Sequence, residues 1–153
     1  MVDGISKPRA DYLASDFRRG FIKHCGFEAE EIRRGYFRSK VNIGQQHCQQ
    51  DGFIHAGVMA TMADHTAGYA AFTTVEEGFQ ILTIEFKINF LRPAFGEQLI
   101  CEARVIREGG QIIVAESEVV DFSGSRARPV AKALVTLMAV PKQKLEGITS
   151  VHE

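Results

Sequence analysis

The sequence predicts an α+β protein in which one antiparallel sheet packs around a single long, central helix. Residues 57–74 are almost all apolar or small, which predicts a helix that is buried on every side rather than amphipathic. Strand-like alternation of apolar and polar residues occurs both before and after this helix. Because one sheet cannot bury a helix on all sides, we expect the sheet to wrap around it or a second subunit to cover the rest.

The elements before the central helix are a short helix and two strands. Apolar residues at helical spacing predict a docking helix over residues 10–24, which Gly20 weakens and Gly26 ends. Strands are predicted over residues 27–33 and 36–43 with a turn at Gly35. In the second strand Phe37, Val41 and Ile43 share one face, with Arg38 and Lys40 on the other. Residues 44–52 are polar and predict a loop.

Four strands are predicted after the central helix. In residues 82–90 the even positions are all apolar and the odd positions polar, which places the even positions on one face. Residues 99–105 and 113–119 form the next two strands, with a hairpin turn at 108–110. A loop over residues 123–129 leads to a final strand over 130–140, and a polar tail follows Pro141.

Composition sets the class of the protein. The 153 residues are 45% hydrophobic and 24% charged, as in a soluble domain. We expect one domain: an N-terminal helical segment (1–25), the main body (26–141) and a polar tail (142–153). The net charge of -1 argues against nucleic acid or an anionic membrane as partner. No apolar run reaches the ~18 residues of a membrane span, and residues 1–23 lack a signal-peptide core. Three widely spaced cysteines indicate free thiols and a cytoplasmic protein.

Asp64 is the most informative residue, because it lies in the middle of the apolar helix. A buried carboxylate costs several kcal/mol unless it is paired, hydrogen-bonded or protonated. One interpretation places Asp64 on a narrow solvated stripe with Thr61 and His65. We prefer a catalytic acid in a mostly apolar cleft, where perturbed carboxylates are useful.

The segment that ends at Asp64 resembles a motif of the hotdog-fold acyl-CoA thioesterases, in particular those of the phenylacetate-pathway type. The family has Asn or Gln, a Gly three residues later, His-Gly-Gly, and an acid eight residues after the first Gly of that triplet. The matching residues here are Gln49, Gly52, His55-Ala56-Gly57 and Asp64. Residues 83–94 look like the third strand of the family, so the resemblance covers most of 26–141. Ala56 replaces a family Gly, which affects the expected substrate range more than the activity.

The resemblance implies a hotdog fold and hydrolysis of an acyl-CoA to free acid and CoA, with no metal or bound cofactor. Backbone N–H groups of Ala56 and Gly57, at the positive end of the helix, would stabilise the oxyanion. Asp64 would act as general base or as nucleophile. Gln49 would orient the carbonyl or the water, and Thr83 would hold the water from across a subunit interface. Family sites straddle that interface, so we expect a homodimer at least and more readily a homotetramer of two dimers.

Simpler roles remain open for several of these residues. Gln49 belongs to a glutamine-rich loop that solvent would cover, and Thr83 is an ordinary strand residue by itself. For His55 we favour capping of the helix over acid–base work. His65 points about 100° away from Asp64 around the helix and is expected to serve packing or an interface.

Other functions are less well supported. The residue types His, Cys and Asp occur together over 47–65, but their spacing matches no zinc pattern, so no metal is predicted. A hydroxyacyl-thioester dehydratase usually has a His-Phe-Pro-Gly-like string, which is absent. A non-catalytic acyl-CoA sensor is disfavoured by the presence of Asp64. The candidates for binding the CoA phosphates are Lys87, Arg92, Arg126 and Arg128.

Overall fold

A long helix packed on an antiparallel sheet forms the body of the protein, in a computed structural model that describes residues 4–149. The chain first forms α1 (Lys7–Phe17), α2 (Phe21–Cys25), β1 (Glu28–Arg33), β2 (Tyr36–Asn42) and the central helix α3 (Ala56–Phe72). It continues with β3 (Phe79–Phe90), β4 (Gln98–Glu108), β5 (Ile112–Ser123), β6 (Arg126–Pro141) and α4 (Glu146–Thr149). The predicted α+β architecture, with one antiparallel sheet and a long helix, is confirmed.

The sheet has the strand order β1-β2-β4-β5-β6-β3 within the described residues. The core lies between this sheet and α3, which buries Met59, Met62 and Phe72 in one cluster with residues such as Val135 and Leu137. Strand β3 pairs with β6 on one side only and is therefore an edge of the sheet in this chain. None of the helices within residues 4–149 is long and apolar enough to cross a bilayer.

The N-terminal helix differs from the prediction because it is broken in two. Gly20 has φ 58°, a left-handed conformation that favours glycine and interrupts the helix between α1 and α2. Gly26 has φ 71° and ends α2, as predicted. The side chain of Ser6 accepts a hydrogen bond from the N–H of Arg9 and caps α1.

One prediction for the last third of the chain is wrong in extent. The loop expected over residues 123–129 is a two-residue hairpin turn, because β5 and β6 stay paired up to Ser123 and Arg126. The predicted polar tail contains a short 3-10 turn (Lys142–Lys144) and α4. Residues 150–153 of that tail lie outside the described residues.

Helix α3 is not buried on every side in the single chain. The sheet covers one flank, and α1 covers another through Phe17, whose ring lies 4.5 Å from that of His65 and 5.0 Å from that of Tyr69. Between these contacts a stripe containing Thr61, Asp64 and Gly68 stays partly exposed. The solvated-stripe interpretation therefore describes the isolated chain better than the prediction of complete burial.

A β-bulge in β3 overturns the expectation that its even positions share one face. Pairing with β6 is regular up to Thr83↔Leu137 and resumes at Glu85↔Thr136, so Ile84 is an extra residue. Paired residues of an antiparallel sheet lie on the same face, so Thr83 is on the same face as the buried Leu137. Leu82 therefore points to the opposite face. The bulge thus turns Thr83, a polar odd-numbered residue, toward α3.

Candidate active site

Asp64 and Thr83 meet where α3 crosses β3. The Thr83 hydroxyl donates a hydrogen bond to Oδ1 of Asp64 over 2.7 Å. This contact holds the Asp64 side chain in one orientation. Thr83 was expected to act across an interface, whereas here it contacts the Asp64 of its own chain.

A small cavity of about 180 Å³ opens beside this pair. Gly68 lies one helical turn after Asp64 on the same face of α3, and Tyr69 and Phe72 follow it. The full lining consists of Asp64, His65, Gly68, Tyr69, Phe72, Gln80, Ile81 and Thr83. Apart from Asp64 and Thr83, the sequence motif did not identify these residues as site residues. The helical spacing of Gly68 from Asp64 was the signal that could have found it.

His55 caps α3, which confirms the role favoured for it. Its Nδ1 accepts a hydrogen bond from the N–H of Gly57 over 2.8 Å. Gly57 was expected to donate to an oxyanion, but its N–H is already used by this cap. The N–H of Ala56, in contrast, has no acceptor within residues 4–149. Ala56 is therefore the first-turn donor left free for a ligand.

The N-terminus of α3 and Asp64 border different cavities. A larger cavity of about 430 Å³ lies at the helix N-terminus, where Gly57 and Val58 face Phe21 of α2. Its other lining residues are His24, Cys25, Gln46, His47, Cys48, His55 and Thr61. Eight residues separate Ala56 from Asp64, or about 12 Å along the helix axis. The single chain does not bring the two groups into one cavity.

Gln49 is fixed by its backbone rather than by its side chain. Its N–H donates to the carbonyl of Phe53 over 2.8 Å, and its carbonyl accepts from Gly52 over 3.0 Å. Gly52 has φ 85°, which explains the glycine at this turn. Within the described part of the chain, no hydrogen bond is found for the Gln49 side chain, and Gln49 does not line the Asp64 cavity.

His65 and Tyr69 form a wall of the Asp64 cavity rather than acid–base groups. Nε2 of His65 lies 3.0 Å from the carbonyl of Phe17, and burial lowers the pKa of His65. The Tyr69 hydroxyl donates to Asp16 over 2.8 Å, and burial together with this carboxylate raises the pKa of Tyr69. Both side chains are thus held neutral near pH 7, and the packing role expected for His65 is confirmed.

The four basic residues predicted for phosphate binding do not form one cluster. Arg92, Arg126 and Arg128 lie where β3 ends and β6 begins, whereas Lys87 lies on the sheet face opposite Ile88, a residue that packs on the core. Arg92 donates to the carbonyl of Pro129 over 2.9 Å. The Arg128 guanidinium lies 4.5 Å from the ring of Phe95 and 3.5 Å from a carboxylate oxygen of Asp121.

No group of three His, Cys, Asp or Glu residues that could hold a metal ion is found within residues 4–149. Cys25 and Cys48 are free and half-buried. Cys101 is free and fully buried, and burial raises its pKa to about 12.

Comparison with known proteins adds the family. The model of the thioesterase superfamily matches residues 51–127, just over half of the 153 residues. A thioesterase family protein from Silicibacter pomeroyi has a TM-score of 0.84 at 34% identity, over 87% of this chain and 98% of that one. Acyl-coenzyme A thioesterase 13 of Mus musculus is 26% identical over 77 residues, which are 50% of this chain and 54% of that protein.

The fold is also that of the E. coli PaaI protein from the phenylacetic acid degradation operon, which has a TM-score of 0.78 at 20% identity. The match covers 90% of this chain and 96% of that one. The motif from Gln49 to Asp64 begins two residues before the region that the family model matches. The chain therefore belongs to the thioesterase superfamily, with the hotdog fold and the thioester-hydrolase class that its motif predicted.

Proposed function

We propose that the protein is an acyl-CoA thioesterase, which hydrolyses an acyl-CoA to free acid and CoA without a metal or bound cofactor. The observation that carries the proposal is the Asp64 carboxylate, oriented by Thr83 at the mouth of a small cavity. The free N–H of Ala56 supplies the second requirement, a donor for the thioester oxygen. The name of the mouse relative supports a CoA ester as substrate.

The chemistry follows from these two groups. The thioester oxygen accepts a hydrogen bond from Ala56 at the positive end of α3, which stabilises the negative charge that develops there. In one route Asp64 removes a proton from water, and the water oxygen attacks the carbonyl carbon. In the other route the carboxylate itself attacks and forms a mixed anhydride, which water then hydrolyses. In both routes the C–S bond breaks and CoA leaves as a thiolate that takes up a proton.

The proposal includes a site shared by two chains. Asp64 lines one cavity and Gly57, the neighbour of Ala56, lines another. Ala56 and Asp64 are about 12 Å apart along the helix. Strand β3 is an edge strand whose apolar side chains remain exposed, including Ile84 at 52% and Phe90 at 47%. Such an edge favours pairing with a second copy. A twofold axis at β3 reverses the direction of the partner's helix, so the N-terminus of each α3 can approach the Asp64 of the other chain. We therefore propose a homodimer, and a tetramer of two dimers.

The phosphates of CoA would lie at the end of the β3–β6 pair. Arg126 is exposed there and has no ion-pair partner within the described residues, so it is the first candidate. Arg92 and Arg128 already make contacts within the chain, and only their remaining N–H groups would donate to the phosphates. Lys87 lies on the other face of the sheet. It could contact the phosphates only if the CoA extended onto that face or were bound by a second chain.

Asp64→Asn tests the function directly. Asn keeps the volume and can still accept the hydrogen bond from Thr83, but it can neither take a proton nor attack. We expect turnover of the best acyl-CoA to fall at least ~100-fold, measured by release of the CoA thiol from a panel of acyl-CoA esters. Asp51→Asn is the matched control, because Asp51 is an exposed loop carboxylate.

An Asp64→Asn variant with near wild-type turnover would exclude Asp64 as the catalytic group. A wild-type protein that binds acyl-CoA and hydrolyses none of the panel would instead support a non-catalytic acyl-CoA binder.

A further inference from the structure

Gly68 lies in the interior of α3, where glycine destabilises a helix relative to alanine. Its φ is not positive, so the backbone conformation does not require glycine. A Cβ built on Gly68 meets no described atom within 4 Å, so packing inside the chain does not require glycine either. Gly57, the other glycine of this helix, is explained differently, because its Cβ would lie 2.9 Å from Nδ1 of the capping His55.

The space in front of Gly68 is the Asp64 cavity. Side chains on a helix point toward its N-terminus, so a side chain at position 68 would extend over the turn that carries Asp64. It would occupy the space directly beside the carboxylate. The other walls of this space combine the apolar side chains of Phe72 and Ile81 and the ring of Tyr69 with the polar side chains of His65 and Gln80.

We propose that Gly68 is the specificity-determining residue of this site, because its missing side chain leaves the room in which the acyl group of the substrate lies. This inference rests on the proposed thioesterase activity. A cavity of about 180 Å³ leaves room for a short acyl group beside Asp64, and a side chain at position 68 would take up part of that room.

The cavity at the helix N-terminus is the competing location for the acyl group. It is larger, and it is lined by His55 and Gly57, the two neighbours of Ala56 in the chain. The glycine that lines this cavity is Gly57, and its contact with the capping His55 already explains why glycine occurs there. Val58 lines this cavity and gives a matched probe, because Val58→Leu adds one methylene group there.

The experiment compares Gly68→Ala, Gly68→Val and Val58→Leu with the wild type. For each protein kcat/KM is measured on acetyl-, butanoyl-, isovaleryl-, benzoyl- and decanoyl-CoA, and the mass of the assembly by light scattering. One methylene group in an apolar pocket changes specificity by about 10- to 200-fold. The quantity compared is the ratio of kcat/KM for the largest acyl-CoA that the wild type accepts to kcat/KM for acetyl-CoA. We expect this ratio to fall at least ~10-fold in Gly68→Ala and further in Gly68→Val. It should change less than about threefold in Val58→Leu.

Three results would overturn the inference while leaving the thioesterase activity in place. The first is an unchanged ratio in both Gly68 variants. The second is a shift that occurs in Val58→Leu instead. The third is a change of assembly mass in the Gly68 variants, which would make Gly68 a subunit contact. A wild-type protein inactive on every ester would contradict the proposed function itself. Because the Cβ at position 68 meets open space, we expect Gly68→Ala to fold and to unfold at the same or a higher temperature than the wild type.

Discussion

The orientation of the Asp64 carboxylate depends on the hydroxyl of Thr83, and the position of that hydroxyl depends on the bulge at Ile84. At the N-terminus of α3, a single contact likewise decides which of the two first-turn N–H groups, those of Ala56 and Gly57, can bind a ligand. His55 uses the N–H of Gly57 and leaves that of Ala56 free. Single contacts therefore decide which groups are available for chemistry.

A comparison of Ala56→Pro with Thr83→Ala separates these two contributions. Proline removes the Ala56 N–H, and loss of one oxyanion donor costs ~100- to 1,000-fold in turnover. The fold should tolerate it, because a first-turn N–H has no intrahelical partner and proline is favoured there. His55 also has φ -63° and ψ 136°, which suits a residue before proline. Thr83→Ala should cost less, about 10-fold, since it removes the one hydrogen bond that orients Asp64.

Ala56→Gly and Thr83→Ser are the conservative controls, because the first keeps the N–H and the second keeps the hydroxyl. Both should stay close to wild-type turnover, and Ala56→Gly is expected to widen the substrate range toward bulkier acyl groups. Light scattering and circular dichroism check assembly and fold. A folded and fully active Ala56→Pro variant would place the oxyanion donor elsewhere.

At the level of elements, β3 combines two features that an isolated chain would not tolerate well. It is an edge strand, and Ile84, Phe86 and Phe90 on it are exposed, Phe86 at 36%. An exposed apolar edge without proline or inward charge is prone to uncontrolled pairing. Pairing with a second copy of the same strand removes that hazard.

Phe86→Lys tests this pairing. A lysine on the edge strand should block association, so we expect light scattering at micromolar concentration to give a monomer with little thioesterase activity. Ile106→Lys is the control, because Ile106 is similarly exposed, at 55%, on the interior strand β4. It should keep the wild-type mass and turnover. A wild-type protein that is an active monomer at this concentration would disprove both the pairing and the shared site.

For the whole molecule, the shared site makes two inactive variants complementary. An Asp64→Asn chain keeps its Ala56 N–H, and an Ala56→Pro chain keeps its carboxylate. If each site uses one group from each chain, a mixed dimer regains one complete site. Random mixing makes about half of the dimers mixed, so about a quarter of wild-type activity should return. The two variants are unfolded together in urea, refolded together and assayed against each variant refolded alone. No recovery from well-mixed dimers would place the whole site within one chain.

Stability should depend on pH through His65. Burial lowers its pKa from the ordinary 6.5, against the smaller opposing effects of the Phe17 carbonyl, Asp64 and Asp16. The unfolded chain therefore binds a proton at a pH at which the folded chain resists it. The contribution of His65 to the free energy of unfolding is therefore complete above about pH 6.5. It is lost as the pH falls from there through the lowered pKa of His65 in the folded state.

His65→Gln provides the comparison, because glutamine can donate to the Phe17 carbonyl but does not titrate. Urea unfolding at fixed protein concentration, at pH 7.5, 6.0 and 5.0, should show a steeper loss of unfolding free energy in the wild type than in the variant. Parallel losses would mean that His65 does not control the acid sensitivity.

The sequence by itself determined the α+β architecture, the long central helix, the six strands and the family motif. The apolar run interrupted by one carboxylate predicted α3 and identified Asp64. The alternation of apolar and polar residues predicted the strands, because the side-chain period of a strand follows from backbone geometry alone. The spacing from Gln49 to Asp64 marked the motif, and His55 was correctly assigned as the cap.

Only the tertiary structure decided which residues meet. The bulge at Ile84 moves Thr83 to the helix side, and it depends on the register between β3 and β6, which no local pattern encodes. The use of the Gly57 N–H by His55 depends on one side-chain rotamer. The room beside Asp64 becomes visible only when Tyr69, Phe72 and Ile81 are placed around Gly68. These features arise from contacts between residues distant in sequence or from side-chain packing, and periodicity and composition do not report such contacts.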